Sequence, residues 1–319
     1  MHLLLLTLVS LAASTVAAPA SGSNASSLQH WLYSSQIDNK ALELLDSPDL
    51  IGVQALYSWK SLEPSQGEYD FSTIKNDISR VQAKGKKLWV QLQDRTFSPT
   101  NDPVPKYMHT PQYNNGSAPT CDGEACDIDF KVDGWMAQQW NPEVRRRYQA
   151  LLSALSEELD GKITGLNLPE TSIAVNRSEN NFTNEAYFRG ELENAGFAAK
   201  VFSKTYIVQY VNFWPDGWND ANNRFTESFD FYAEHGVGVG GPDLIPFKKA
   251  QVSNSYPFIA KYHDKVPVAV VAVQEPDLEE LNPRTGMKYT KEEFVDYAHN
   301  VLKVRIIFWA TSSPWLQSN

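Results

Sequence analysis

Short runs of β-branched and aromatic residues alternate along this chain with stretches whose apolar residues recur at helical spacing. The alternation continues to the C-terminal region. The extended runs fall at 29–33, 50–57, 87–93, 162–168, 205–213, 236–240, 268–275 and 304–309. Between them lie helical patterns with readable ends. A short helix is read from Asn39 to Leu45. Phe71, Ile74, Ile78 and Val81 share one face, and Gly85 stops them. Asn141 caps and Pro142 opens a helix whose apolar side is Val144, Tyr148, Leu151, Leu155 and Leu159, with Gly161 after it. Phe225, Phe229 and Tyr232 mark another, and Thr290 with Glu293 forms a capping box ahead of Phe294, Tyr297 and Leu302. Eight strands interleaved with helices predict an α/β fold of the (β/α)₈ TIM-barrel class, one domain over 19–319. A doubly wound open sheet is the competing arrangement, but no Gly-x-Gly-x-x-Gly follows the first strand.

Residues 1–18 read as an export signal. Leu3 to Leu11 is an apolar core with one threonine and one serine in it, and Val16-Ala17-Ala18 is a small-residue cleavage site. The mature protein is therefore expected to be secreted and soluble. Four sequons, at Asn24, Asn115, Asn176 and Asn181, fit a eukaryotic secretory route. The two cysteines, Cys121 and Cys126, are expected to form a local disulfide in that compartment; zinc would need four ligands, and no second pair is present. They lie in a proline-rich insertion at 98–140, which is read as a structureless loop walling a cleft. A net charge of −10 argues against nucleic acid and anionic membrane as partners. A monomer is expected. Nine Trp, 14 Tyr and 15 Phe exceed what a core usually needs, and aromatic faces suit the C–H faces of sugars.

Active sites of such barrels sit where the strands end. Glu170 follows Pro169 at the end of the fourth strand, and Glu275 precedes Pro276 at the end of the seventh. Two carboxylates at strand lips are what acid/base work on a glycosidic bond requires. Glu279 and Glu280 compete with Glu275 but lie in a Leu-Glu-Glu-Leu run that reads as a solvated turn. Parity shared with Val271 and Val273 is expected to aim Glu275 at the barrel axis. Asp94 and Arg95, ending the third strand, are read either as sugar ligands or as a salt bridge with each other. Tyr210 and Asn212 share a parity at the fifth strand. Trp59 and Trp214 are read as sugar platforms or as packing.

In these positions the chain resembles the glycoside hydrolases of the large (β/α)₈ clan often called clan A. That clan carries its acid/base glutamate at the end of strand four and its nucleophile at the end of strand seven. Trp59-Lys-Ser-Leu-Glu-Pro-Ser-Gln-Gly-Glu-Tyr-Asp-Phe71 is similar to the W-x-x-x-E-P-x-x-G-x-Y-D-F turn after strand two in many of its members. The resemblance covers most of the mature chain by order of elements, and in sequence it is specific only in that turn. It implies Glu170 as acid/base, Glu275 as nucleophile, Asn167 near the sugar's 2-hydroxyl, and Trp309 under the sugar ring. One departure is plain: the clan usually has Asn directly before the acid/base Glu, whereas Leu168 and Pro169 intervene here.

The function expected is thus a retaining O-glycosyl hydrolase acting on a carbohydrate. No metal or organic cofactor is expected, since no ligand cluster or phosphate loop is found. A non-catalytic carbohydrate-binding barrel would keep the aromatics and dispense with one carboxylate. A phosphodiester-cleaving barrel would need His pairs or acidic metal ligands at the lips, and the six histidines are scattered.

Overall fold

The computed structural model describes residues 28–121, 131–176 and 180–317. The expected export signal, Asn24 and Cys126 lie outside the described residues. Eight parallel strands close into a barrel: β1 (Gln29–Ser34), β2 (Leu50–Ser58), β3 (Lys87–Gln93), β4 (Gly165–Leu168), β5 (Tyr206–Tyr210), β6 (Gly238–Gly241), β7 (Ala269–Val273) and β8 (Ile306–Ala310). Each pairs with its sequence neighbours, and β1 pairs with β8 to close the ring. The (β/α)₈ expectation holds. The main helices are α1 (Asn39–Leu44), α2 (Ser72–Gln82), α3 (Pro142–Leu159), α4 (Asn184–Val201), α5 (Arg224–His235), α6 (Ser255–Tyr262) and α7 (Lys291–Asp296). Local chemistry sets several of their ends. Asn141 accepts from the Glu143 N–H with Pro142 in the first turn, and the Thr290–Glu293 capping box is present.

Two apolar layers follow from strand alternation. Val53, Val90, Leu166, Ile207, Val239, Val271 and Ile307 face the helices. Trp31, Trp89, Tyr210, Val270 and Phe308 fill the barrel. The rings of Trp31, Trp89 and Phe308 meet edge to face, with the Trp31–Trp89 centroids 5.7 Å apart and Trp89–Phe308 5.4 Å apart. Glycines on neighbouring strands make room for these rings. A Cβ at Gly165 would stand 2.2 Å from the Trp89 ring, and one at Gly240 would stand 2.9 Å from Tyr210. The glycine-rich sixth strand is thus the complement of a large residue on the fifth.

Several strand bounds differ from expectation, and so does the insertion after β3. The sixth strand begins at Gly238 rather than 236, because Gly236 closes α5 in the left-handed conformation at φ 69°. The fifth strand ends at Tyr210, leaving Asn212 and Phe213 on the lip. The insertion after β3 is not structureless. Arg95–Thr96, Ser117–Cys121 and Val132–Ala137 form a small antiparallel sheet. The Cys121 N–H donates to Ala174 O at 3.0 Å and Thr120 pairs with Val175, tying this sheet to the loop after β4. It stands as a wall beside that strand end, as the sequence suggested.

Candidate active site

Pro169 cannot continue the ladder, so the chain leaves β4 and sets Glu170 on the lip, partly buried. Its Oε2 accepts from Asn212 Nδ2 at 2.7 Å. The amide is oriented without ambiguity, since Asn212 Oδ1 accepts from the Ser172 N–H at 2.8 Å and the Phe213 N–H at 2.9 Å. Only the NH₂ is left to face the carboxylate. Burial pushes the Glu170 carboxyl above its ordinary range; the Arg95 guanidinium and the Asn212 hydrogen bond pull the other way. Arg95 itself is buried, with Nε 3.4 Å from Asp94 Oδ1 and Nη1 donating to Ser172 O at 2.7 Å. It braces the loop that carries Glu170.

Around the mouth, three further groups converge. Tyr33, the penultimate residue of β1, faces inward. Its hydroxyl is raised by burial and then by the negative charges of Glu275, Asp243 and Glu170. Asp243 follows β6, and burial together with the charge of Glu170 raises its carboxyl well above the usual range. Gln274 follows β7 and donates to Pro242 O at 2.9 Å, with Asp243 Oδ1 at 3.5 Å. Glu275 comes next, exposed on the rim, where the Pro276–Glu279 turn begins. Glu170 borders a hollow of about 220 Å³ with Phe97, Thr120, Asp133 and Ser172. Glu275 borders another of about 380 Å³ with Lys288, Tyr289, Ser312 and Trp315.

Several residues singled out from sequence are not at this mouth. The interior of β7 is Val270 and Ala272, so Val271 and Val273 face the helices, and the parity argument for Glu275 is corrected. Trp309 likewise points outward, packing on Trp315 and Phe294 with Nε1 donating to His30 Nδ1 at 3.0 Å, while Phe308 takes the interior. Trp59 is fully buried against Tyr148. Its Nε1 donates to Glu63 Oε2 at 2.8 Å, and Glu63 also accepts from the Gly67 N–H and from Arg147. The similar turn after strand two is therefore a folding device centred on Glu63. Trp214 is packing too, donating to Ser228 Oγ.

Asn167 lies inside the barrel, its Oδ1 taken by Trp89 Nε1 at 2.6 Å, and Tyr210 is held there by Gln54. Both are too buried to touch a sugar at the lip. Asp94 accepts from Gln139 Nε2 at 2.7 Å and pairs with Arg95, so the salt-bridge alternative is the one found. Of the six substrate-binding expectations, Asn212 alone meets Glu170 or Glu275. Tyr33, Gln274 and Phe97 were missed. Tyr33 could have been found by its parity with the aromatic Trp31, and Phe97 as an aromatic inside a polar insertion. Among the sequons, Asn115 and Asn181 are exposed with φ 69° and 54°, and Asn176 is half-buried. Among the described residues no group of three or more His, Cys, Asp or Glu side chains is placed to hold a metal ion.

No family model matches the chain, and no curated protein matches it in sequence. Its backbone is similar to solved glycoside hydrolases. A family 39 glycoside hydrolase from the gut symbiont Bacteroides cellulosilyticus WH2 aligns over 90% of this chain with TM-score 0.51 and 12% identity. This chain spans only 56% of that protein's length. Endo-glycoceramidase II from Rhodococcus sp. aligns over 89% with TM-score 0.50 and 12% identity, covering 72% of that chain. At this identity the likeness is one of fold, the closed (β/α)₈ barrel.

Proposed function

We propose that the protein is a secreted glycoside hydrolase that cleaves a poly- or oligosaccharide by a retaining mechanism, with Glu170 as acid/base and Glu275 as nucleophile. The observation that carries this reading is that Glu170 and Glu275 follow the parallel strands β4 and β7 at the same end of the barrel, with Asn212 bonded to Glu170 there. Glu170 has the environment of a general acid, held by Asn212 and kept protonated to higher pH by burial. It gives its proton to the glycosidic oxygen as Glu275 attacks the anomeric carbon and the C–O bond breaks. It then takes a proton from the water that releases the sugar from Glu275. The export signal and the sequons support secretion.

Asp243 supports a second assignment, in which it replaces Glu275 as the partner carboxylate, because it is half-buried at the mouth, bonded by Gln274, and feels Glu170. The test is turnover of aryl glycosides by Glu275→Ala and Asp243→Asn, with product anomers followed by NMR. On the first assignment Glu275→Ala loses at least about 10²–10⁴-fold in kcat, the general-acid scale taken as a floor, and azide restores turnover with inverted product. Glu275→Ala near wild type, with Asp243→Asn inactive, transfers the role to Asp243. An inverted product from the wild type rejects the retaining scheme. Saccharide binding without any turnover points to the non-catalytic barrel instead.

A further inference from the structure

Each glutamate borders its own hollow, and the two hollows share no lining residue. The first lies in the loops after β3 and β4, the second in the loops after β7 and β8. In the closed ring, β5 and β6 separate them on one side and β1 and β2 on the other, so they face each other across the mouth. Sites for whole drug-sized ligands run about 300–1,000 Å³; at about 380 and 220 Å³ the two hollows lie near or below the low end of that range, small for more than a short piece of a chain. A blind pocket for a terminal sugar would have both carboxylates in its wall. Here they stand at the edges of two separate recesses. Among the described residues, the two exposed large aromatic side chains are Phe97 and Trp218, at 75% and 53% exposure. Phe97 follows β3 and lines the Glu170 hollow; Trp218 follows β5 and stacks on Phe213, whose N–H holds Asn212. They flank the strand that carries Glu170. Thr120, Asp133 and Ser172 add hydroxyl-binding groups beside Phe97.

We infer that the ligand is a linear saccharide chain gripped through its interior, with sugars in both hollows, so that cleavage is endo. This deepens the hydrolase reading and rests on it for the cleavage step alone; chain binding can be tested without turnover. The probes are length ladders, from disaccharide to hexasaccharide, of β-1,4-gluco-, β-1,3-gluco-, β-1,4-manno- and β-1,4-xylo-oligosaccharides, titrated calorimetrically into full-length Glu170→Gln. With one unit per hollow and one on either side of the cleaved bond, affinity for one ladder should climb at least to the tetrasaccharide. Adding Phe97→Ala should cost about tenfold on the tetrasaccharide and little on the disaccharide; a ring contact of about 1.4 kcal/mol is that factor. Phe97 is exposed, so this variant keeps its fold. Wild type acting on a hexasaccharide labelled at its reducing end should release internal fragments in the first turnovers. Affinity flat beyond the disaccharide, no binding to any ladder, or early products confined to terminal units overturns the inference. A climbing ladder without hydrolysis keeps the chain-binding cleft and removes the hydrolase reading.

Discussion

Glu63 offers a perturbation whose size can be worked from the structure. Its side chain is fully buried and accepts from Trp59 Nε1 at 2.8 Å, from the Gly67 N–H at 2.9 Å, and from Arg147. Glu63→Ala strips three donors of one acceptor. Breaking a buried ion pair by removing one partner costs about 3–5 kcal/mol. Arg147 keeps its bond to the Tyr107 hydroxyl and is 15% exposed, so it can recruit water and the low end applies. The Trp59 indole N–H has no such escape, and an unmet buried donor costs about 1–3 kcal/mol. The Gly67 amide lies in an exposed turn and can rehydrate. Glu63→Ala should therefore lose about 4 kcal/mol, a large share of the roughly 5–15 kcal/mol typical of a whole protein. Glu63→Gln keeps the shape and should lose about half of that. Guanidinium denaturation of wild type and both variants, with unchanged slopes, reads these values. A Glu63→Ala within about 1 kcal/mol of wild type would falsify the argument, as would normal stability joined to lost saccharide binding.

Two further outcomes are expected. Asn212→Ala removes a hydrogen bond that holds the Glu170 carboxyl down, so the basic limb of the kcat/KM profile should move to higher pH. The loss of rate should stay well short of the about 10²–10⁴-fold due to a general acid itself; a limb that stays in place separates Asn212 from Glu170 titration. Cys121 and Cys126 should titrate as no free thiol under denaturing, non-reducing conditions, and two equivalents would refute their pairing.

What the sequence made legible was local. Helix ends were read well because capping is a contact within a few residues, as at Asn141 with Glu143 and at Thr290 with Glu293. The sixth strand was misplaced by two residues because Gly236 looks like part of a glycine-rich strand, while its left-handed φ serves the helix before it. The turn at Trp59–Phe71 was recognised as a pattern. Its purpose was not, since Arg147 arrives from α3, 84 positions after Glu63. Trp309 and Phe308 are equally plausible ring platforms by composition. Which one faces inward depends on the register of β8 against β1 and β7, a property of the closed ring.

The two glutamates show why lip position succeeded where parity failed. Alternation of faces holds only while the ladder continues, and a proline stands beside each glutamate where pairing stops. After β4 the register with β5 ends at Leu168, and Gln209 reaches across to bond the carbonyl of Pro169 itself. Glu170 is then free to turn toward Asn212, whatever face Asn167 occupies. After β7, Asp277 Oδ2 accepts from the Gln274 N–H at 2.8 Å, and Pro276 opens the short turn that follows. This bends the chain at Glu275 and sets it on the rim beside Gln274, whose side chain bonds to Pro242 O. Burial and the charge of Asp243 raise the Asp277 carboxyl, so the clamp that shapes this lip is itself sensitive to protonation. In this barrel the proline beside each of these two acids marks where the carboxylate leaves the sheet's alternation.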